Sequence, residues 1–199
     1  MYTFIVNPNA KTGLGYQVWS SLEAILKEKN VNYQVFFTKY QKHATRLAQK
    51  LTQESGAKTL IVLGGDGTIN EVINGIEDLD GTVLGYIPIG SSNDFARGMG
   101  LSTDPVQALK HILSPEHFTY INIGTAMYAG KTRRFAVSSG LGFDAGVCHQ
   151  VYVSKLKKLL NKLHLGKLSY AAVALQQILT MTPLKMTLTL DDNTPIELY

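Results

Sequence analysis

A single carboxylate, Asp66, stands in a turn that Gly64, Gly65 and Gly67 otherwise strip of side chains. The run ahead of it, Lys58–Leu63, is apolar and β-branched, as in a buried strand. From Thr68 onward, Ile69, Val72, Ile73 and Ile76 share one helical face. A strand passing through glycines into a helix leaves the first backbone N–H groups of that helix unpaired. Such a turn is an anion site suited to phosphate. Asp66 narrows the chemistry, because a carboxylate beside phosphate repels it unless it holds a cation or takes a proton. The pattern points to metal–nucleotide chemistry. The structural alternative is a carboxylate that merely offsets the helix macrodipole.

The elements that must position this turn alternate along the first 115 residues. Strand patterns at Tyr2–Val6, Asn32–Thr38, Lys58–Leu63 and Thr82–Ile87 alternate with helical patterns. The helices are read at Tyr16–Lys29, Ala44–Gln53, from Thr68, and at Asp104–Leu113. The last has Thr103 or Asp104 as its cap and Pro105 at its first position. This order predicts an α/β fold, a parallel sheet in a three-layer domain over residues 1–116. In such sheets the loops at the carboxyl ends of strands converge on the ligand crevice. Two more loops therefore join the Asp66 turn. Asn7-Pro8-Asn9-Ala10-Lys11-Thr12-Gly13 offers backbone amides and one lysine, and Gly90-Ser91-Ser92-Asn93-Asp94 offers hydroxyls and amides without bulk. Neither a Walker A loop nor Gly-x-Gly-x-x-Gly is present.

After Ser114-Pro115 the texture changes. Phe118–Met127, Arg134–Ser138 and Leu184–Leu190 alternate like half-buried antiparallel strands, and Gly146–Met181 is helical with a break near Gly166. Residues 117–199 are expected to form an incomplete, mainly antiparallel β second domain with inserted helices. Asp191-Asp192-Asn193 reads as a hairpin turn between apolar runs.

Bulk composition bounds the rest. In 199 residues, 45% are hydrophobic and 17% charged, which supports a real core and excludes disorder. One cysteine, Cys148, rules out an internal disulfide and fits a reducing cytoplasm. No secretory leader or spanning segment is visible. The net charge of +4 permits attraction to anionic surfaces and phosphates and does not argue for nucleic acid. His111, His117, His149 and His164 have no metal-ligand spacing.

The motifs resemble the diacylglycerol kinase catalytic domain family, which includes sphingosine, ceramide and bacterial lipid kinases and is related to NAD kinases. The resemblance rests on Gly64-Gly65-Asp66-Gly67-Thr68 with Asn70-Glu71-Val72 and Asn74-Gly75, and on Asn7-Pro8 with Gly13. It extends to Thr38 with His43-Ala44, to Pro88-Ile89-Gly90-Ser91-Ser92-Asn93-Asp94-Phe95-Ala96-Arg97, and to Gly140-Leu141-Gly142-Phe143-Asp144-Ala145. Ser91 stands where threonine is usual.

That resemblance implies ATP and Mg²⁺ as cofactors and a diacylglycerol-like lipid alcohol as acceptor. The nucleotide would be held by Asn7, Pro8, Lys11, Gly13, Thr38, Gly64, Gly65, Asp66, Gly67, Thr68, Asn70, Glu71, Gly90, Ser91 and Asn93. Thr38 and Ser91 would act through hydroxyls. Asp66 would organise Mg²⁺, directly or through water, or help deprotonate the acceptor hydroxyl. Asn70 and Asn74 are also read as packing or capping residues, Glu71 as a turn-orienting or solvated one, and Asp94 as a brace for its own loop. His43 is either a nucleotide contact or a cap. Asp144 is either an acceptor contact or a loop brace.

The second region would lie on the lipid side. A basic amphipathic stretch, Val151–Lys167, carries Lys155, Lys158 and Lys162 beside leucines and fits an anionic membrane surface or an ordinary surface helix. The expected location is cytoplasmic, peripheral at the inner face of the membrane, and a homodimer is left open. The family's late Asp-Gly-Glu type motif, which supplies its proposed base, has no counterpart after residue 120. The chain thus resembles the amino-terminal portion of a lipid kinase. The alternatives are a catalytically silent nucleotide-binding or assembly module and an NAD kinase-type small-molecule kinase.

Overall fold

The computed structural model describes residues 1–53, 58–153, 175, 178–180, 185–191 and 194–198. By its contacts the chain divides into two compact units, Met1–Ser138 and Ser139–Tyr199.

The first unit contains a four-stranded parallel sheet in the order β2-β1-β3-β4. Its strands are β1 (Tyr2–Val6), β2 (Tyr33–Phe37), β3 (Lys58–Gly64) and β4 (Thr82–Pro88). Between and after them run α1 (Ala10–Glu28), α2 (His43–Thr52), α3 (Asp66–Gly75), α4 (Asp94–Gly98) and α5 (Pro105–Leu113). Alternation along each strand feeds two apolar layers. Phe4, Val6, Ile61, Leu63 and Ile87 pack with Trp19, Leu22 and Leu26 of α1 and Leu109 of α5. On the other face Ile5, Leu60, Val62 and Tyr86 pack with Ala44 and Ala48 of α2 and with Ile69, Val72 and Ile73 of α3. Sheet between two helical layers is the three-layer α/β fold expected. Pro105 opens α5, and the Asp104 carboxylate accepts from the Gln107 N–H at 2.8 Å, as a cap should.

The hairpin β5 (Gly124–Tyr128) and β6 (Lys131–Phe135) also belongs to the first unit, although the sequence pattern placed it beyond residue 116. Asn74 and Arg134 tie it to α3: the Asn74 amide donates to the Arg134 carbonyl at 2.9 Å and accepts from the Arg134 N–H at 2.9 Å. Both strands differ from expectation. Only residues 120–123 alternate, with Ile121 and Ile123 against the α2–α3 layer and Tyr120 95% exposed. Among the described residues they have no ladder partner, and the strand begins at Gly124. The turn falls at Ala129-Gly130, both at positive φ (47° and 69°), which starts β6 at Lys131 rather than Arg134.

In the second unit, α6 (Phe143–Val153) precedes an antiparallel pair, β7 (Met186–Leu188) with β8 (Ile196–Leu198). Asp191, at φ 48°, lies in their connection, as the hairpin turn required. β7 is exposed rather than half-buried. Most of the remaining helical stretch, including Lys155, Lys158 and Lys162, lies outside the described residues.

Candidate functional site

The strand order reverses between β1 and β3, since β1 connects outward to β2 and β3 to β4. Loops at such a switch point diverge and leave a crevice at the carboxyl ends of the strands. A cavity of about 460 Å³ lies there, lined from four loops. The β1 loop contributes Asn7, Asn9, Ala10 and Lys11; the β2 loop contributes Thr38, Lys39, Tyr40 and Gln41. Gly65, Gly67, Thr68 and Glu71 come from the start of α3, and Gly90 and Ser91 from the β4 loop.

The three glycines of the β3–α3 turn have different reasons. A Cβ on Gly64 would meet the Thr68 side chain at 2.6 Å. Gly65 and Gly90 touch backbone to backbone: a Cβ on Gly90 would lie 2.7 Å from the Gly65 Cα. Those glycines are needed by the protein's own packing. Gly67 is not, because a Cβ there meets nothing within 4 Å. Its open space belongs to the cavity.

Gly65 caps α3 without a side chain, and the Thr68 and Ile69 N–H groups turn back to its carbonyl at 2.9 and 3.1 Å. Among the described residues the Asp66 and Gly67 N–H groups have no acceptor. Thr68, buried, is fixed by the Asn7 amide, which donates to its hydroxyl at 2.9 Å. The Asn7 Oδ1 meanwhile accepts from the Asn9 N–H at 3.0 Å. The β1 loop then passes through three left-handed residues, Lys11, Thr12 and Gly13, at φ 47°, 63° and 96°. For Lys11 and Thr12 that conformation costs about 1–2 kcal/mol each.

Two carboxylates of α3 hold neighbouring helices that have no side-chain cap of their own. Asp66 Oδ1 accepts from the Phe95 N–H at 3.0 Å at the start of α4. Glu71 Oε1 accepts from the Lys42 N–H at 2.9 Å at the start of α2, and the Thr45 hydroxyl donates to the Glu71 carbonyl at 2.9 Å. Beneath the turn, the Tyr86 hydroxyl donates to the Gly64 carbonyl at 3.2 Å. Burial, and secondarily the Asp66 charge, push its pKa well above the usual phenol value.

The cavity therefore brings together Asn7, Lys11, Thr38, Gly65, Gly67, Thr68, Glu71, Gly90 and Ser91 of the expected set. Pro8, Gly13, Gly64, Asp66, Asn70 and Asn93 are not in its lining. Asn93, at φ 55°, braces its own loop by accepting from the Gly90 N–H at 2.7 Å. Asn70 faces β6, where its amide meets the Arg134 carbonyl and the Arg133 guanidinium at 3.2 Å each. His43 braces a loop, its Nδ1 accepting from the Lys39 N–H at 3.1 Å. Lys39, Tyr40 and Gln41 were not anticipated, and Asn9 and Ala10 were expected only as part of the β1 loop. Their signal was their place, directly after β1 and β2. Among the described residues no cluster of three His, Cys, Asp or Glu side chains could cage a metal. No helix there is long and apolar enough to cross a membrane.

The model of the diacylglycerol kinase catalytic domain matches residues 1–126, the segment that builds all four loops. The chain belongs to this family. It is 34% identical over 197 residues to the Bacillus subtilis (strain 168) protein named "Putative lipid kinase YtlR", covering 96% of this chain and 63% of that one. A "Diacylglycerol kinase" of the same organism is 31% identical over 156 residues, 75% of this chain and 48% of its own length. Among solved structures, one titled a "putative diacylglycerol kinase from Bacillus anthracis str. Sterne" superposes with a TM-score of 0.69 at 25% identity, over 99% of this chain and 61% of its own. The chain thus spans less than two thirds of the length of these family members. The family match over residues 1–126 includes the whole loop cluster around the Asp66 turn.

Proposed function

We propose that this chain is the nucleotide-binding part of an ATP- and Mg²⁺-dependent lipid kinase, which transfers the γ-phosphoryl group to the hydroxyl of a diacylglycerol-like lipid. The observation that carries the reading is the start of α3. Gly67, with an N–H group that has no acceptor among the described residues and with unused space, faces one cavity at the switch point of a parallel sheet, and the Asp66 N–H beside it also lacks an acceptor. Positive dipole, free donors and close backbone access together suit phosphate.

Each residue then has a physical part. The Gly67 amide takes phosphate oxygens, and Gly65 and Gly90 keep that surface free of side chains. Lys11 and Lys39 bring positive charge from the two flanking loops, and Thr38 and Ser91 offer hydroxyl donors. Phosphoryl transfer depends mainly on positioning and charge neutralisation, which this set can supply. A Mg²⁺ ion carried by phosphates needs only one or two protein carboxylates. Asp66 fits that requirement, with one oxygen engaged by Phe95 and the other without a protein partner among the described residues. When bound, the ion would neutralise charge developing between the outer phosphates.

One observation favours the second reading, a catalytically silent nucleotide module. Asp66 already has a structural task at α4. Incorporation of labelled phosphate from ATP into diacylglycerol micelles separates the two. The test compares this chain, a version extended by the family's carboxyl-terminal part, and the extended version carrying Asp66→Asn. Activity of the extended version that disappears with Asp66→Asn supports the kinase reading. Full activity of the variant contradicts the role given to Asp66.

A further inference from the structure

We infer that Tyr40 is the stacking platform for the base of the nucleotide, and that the base lies on the β2 side of the cavity. This rests on the nucleotide reading above and adds a direction and a specificity residue to it. The phosphate end is tied to the start of α3, directly after β3. In the order β2-β1-β3 the β2 loop stands two strands away, about 10 Å at the usual strand spacing. That is room for the ribose between phosphates and base. On the opposite side β4 offers only Gly90 and Ser91 to the cavity. Among the described lining residues Tyr40 is the one aromatic side chain.

Its ring is held as a platform should be. His43 stacks on it with centroids 4.5 Å apart and planes at 28°. Arg46, one helical turn further along α2, donates from Nη1 to the Tyr40 hydroxyl at 3.1 Å and places its guanidinium 5.7 Å from the ring centre. Both supports come from α2, and Tyr40, 52% exposed, is among the residues that line the cavity. The start of α2 is itself fastened by Glu71 through Lys42. A ring already fixed in place loses little freedom when a base stacks on it. Gln41, beside it in the lining, brings an amide that can both donate to and accept from a base edge.

The test is calorimetric titration of this chain with Mg·ADP and, separately, with Mg·tripolyphosphate, which has the phosphates and no base. Stacking on an aromatic side chain corresponds to roughly a tenfold or larger effect on binding. Tyr40→Ala should weaken ADP by about that factor and leave tripolyphosphate within about twofold. Tyr40→Phe, which keeps the ring, should bind ADP within about threefold of the unaltered chain. If the unaltered chain binds ADP and Tyr40→Ala binds it equally well, the inference fails and the nucleotide reading stands. Equal losses for both ligands would make Tyr40 a loop residue and also overturn it. An unaltered chain that binds neither ligand overturns the nucleotide reading and this inference together.

Discussion

The two ends of α3 are built in opposite ways. At its carboxyl end, Arg134 donates from Nη1 to the carbonyls of Ile73 at 3.1 Å and Ile76 at 2.6 Å. Asn74 closes the same end by exchanging two hydrogen bonds with the Arg134 backbone. A cation at the negative end of the dipole is what electrostatics favours. At the amino end no side chain caps the helix, and the Asp66 and Gly67 N–H groups have no acceptor among the described residues. Serine, threonine or asparagine at the cap would have been worth about 1 kcal/mol there. One helix thus seals the end that faces structure and leaves open the end that faces the cavity. An open amino end is what a ligand-binding helix start requires, and the same helix is capped by side chains at the end that meets β6.

Substitutions can break this contrast or sharpen it. Asp66→Asn should have the largest effect. Its amide oxygen can still accept from Phe95, so stability should change by less than about 0.5 kcal/mol in urea unfolding. Phosphoryl transfer by the extended chain should nevertheless fall by about 10²–10³-fold in the micelle assay. At the sealed end, Arg134→Ala removes a charged donor from two carbonyls and should cost about 2–3 kcal/mol of stability in the same unfolding experiment. Gly67→Ala fills the open space at the amino end. It should lower affinity for Mg·ADP by about tenfold in calorimetry, while stability holds or rises by a few tenths of a kcal/mol. The smallest effect belongs to Glu71, whose carboxylate faces Lys42. Glu71→Ala should cost about 1 kcal/mol, and Glu71→Gln, which keeps an acceptor, much less. In urea unfolding, a Glu71→Gln variant as unstable as Glu71→Ala would mean that the charge, and not the acceptor alone, holds the start of α2.

The sequence carried the open end far better than the sealed one. Glycines around one carboxylate between an apolar strand and an amphipathic helix have few physical explanations, and the Asp66 turn is where they placed it. The Asp104–Pro105 start of α5 was legible for the same reason, since cap chemistry is local. The hairpin was legible only as two antiparallel strands, with their ends and turn misplaced. Ala129-Gly130 is a weak turn signal, Lys131-Thr132-Arg133-Arg134 reads as a charged loop, and the fact that Arg134 caps α3 depends on a contact some sixty residues distant. On α3 the sequence left Asn70 open between a nucleotide contact and a packing residue, and its contacts with β6 match the second. Thr68 and Glu71, three apart, share the cavity side, whereas Asn70 and Asn74, four apart, share the side toward β6. Periodicity separates the buried face from the rest but cannot tell one polar face from another. The polar residues after β2 were passed over for a related reason. Lys39, Tyr40 and Gln41 form no motif, and only the strand order makes them neighbours of the Asp66 turn.

The central claim is that a nucleotide places its phosphates on the open start of α3. Backbone amide resonances of the chain, followed by ¹⁵N-correlated NMR during titration with Mg·ADP, test it most directly. The account predicts that the Asp66 and Gly67 amides shift most, accompanied by Lys11, Thr38 and Ser91, with the amides around Ile73, Ile76 and Arg134 nearly still. Saturable shifts centred on any other part of the chain, with Asp66 and Gly67 unmoved, would contradict it.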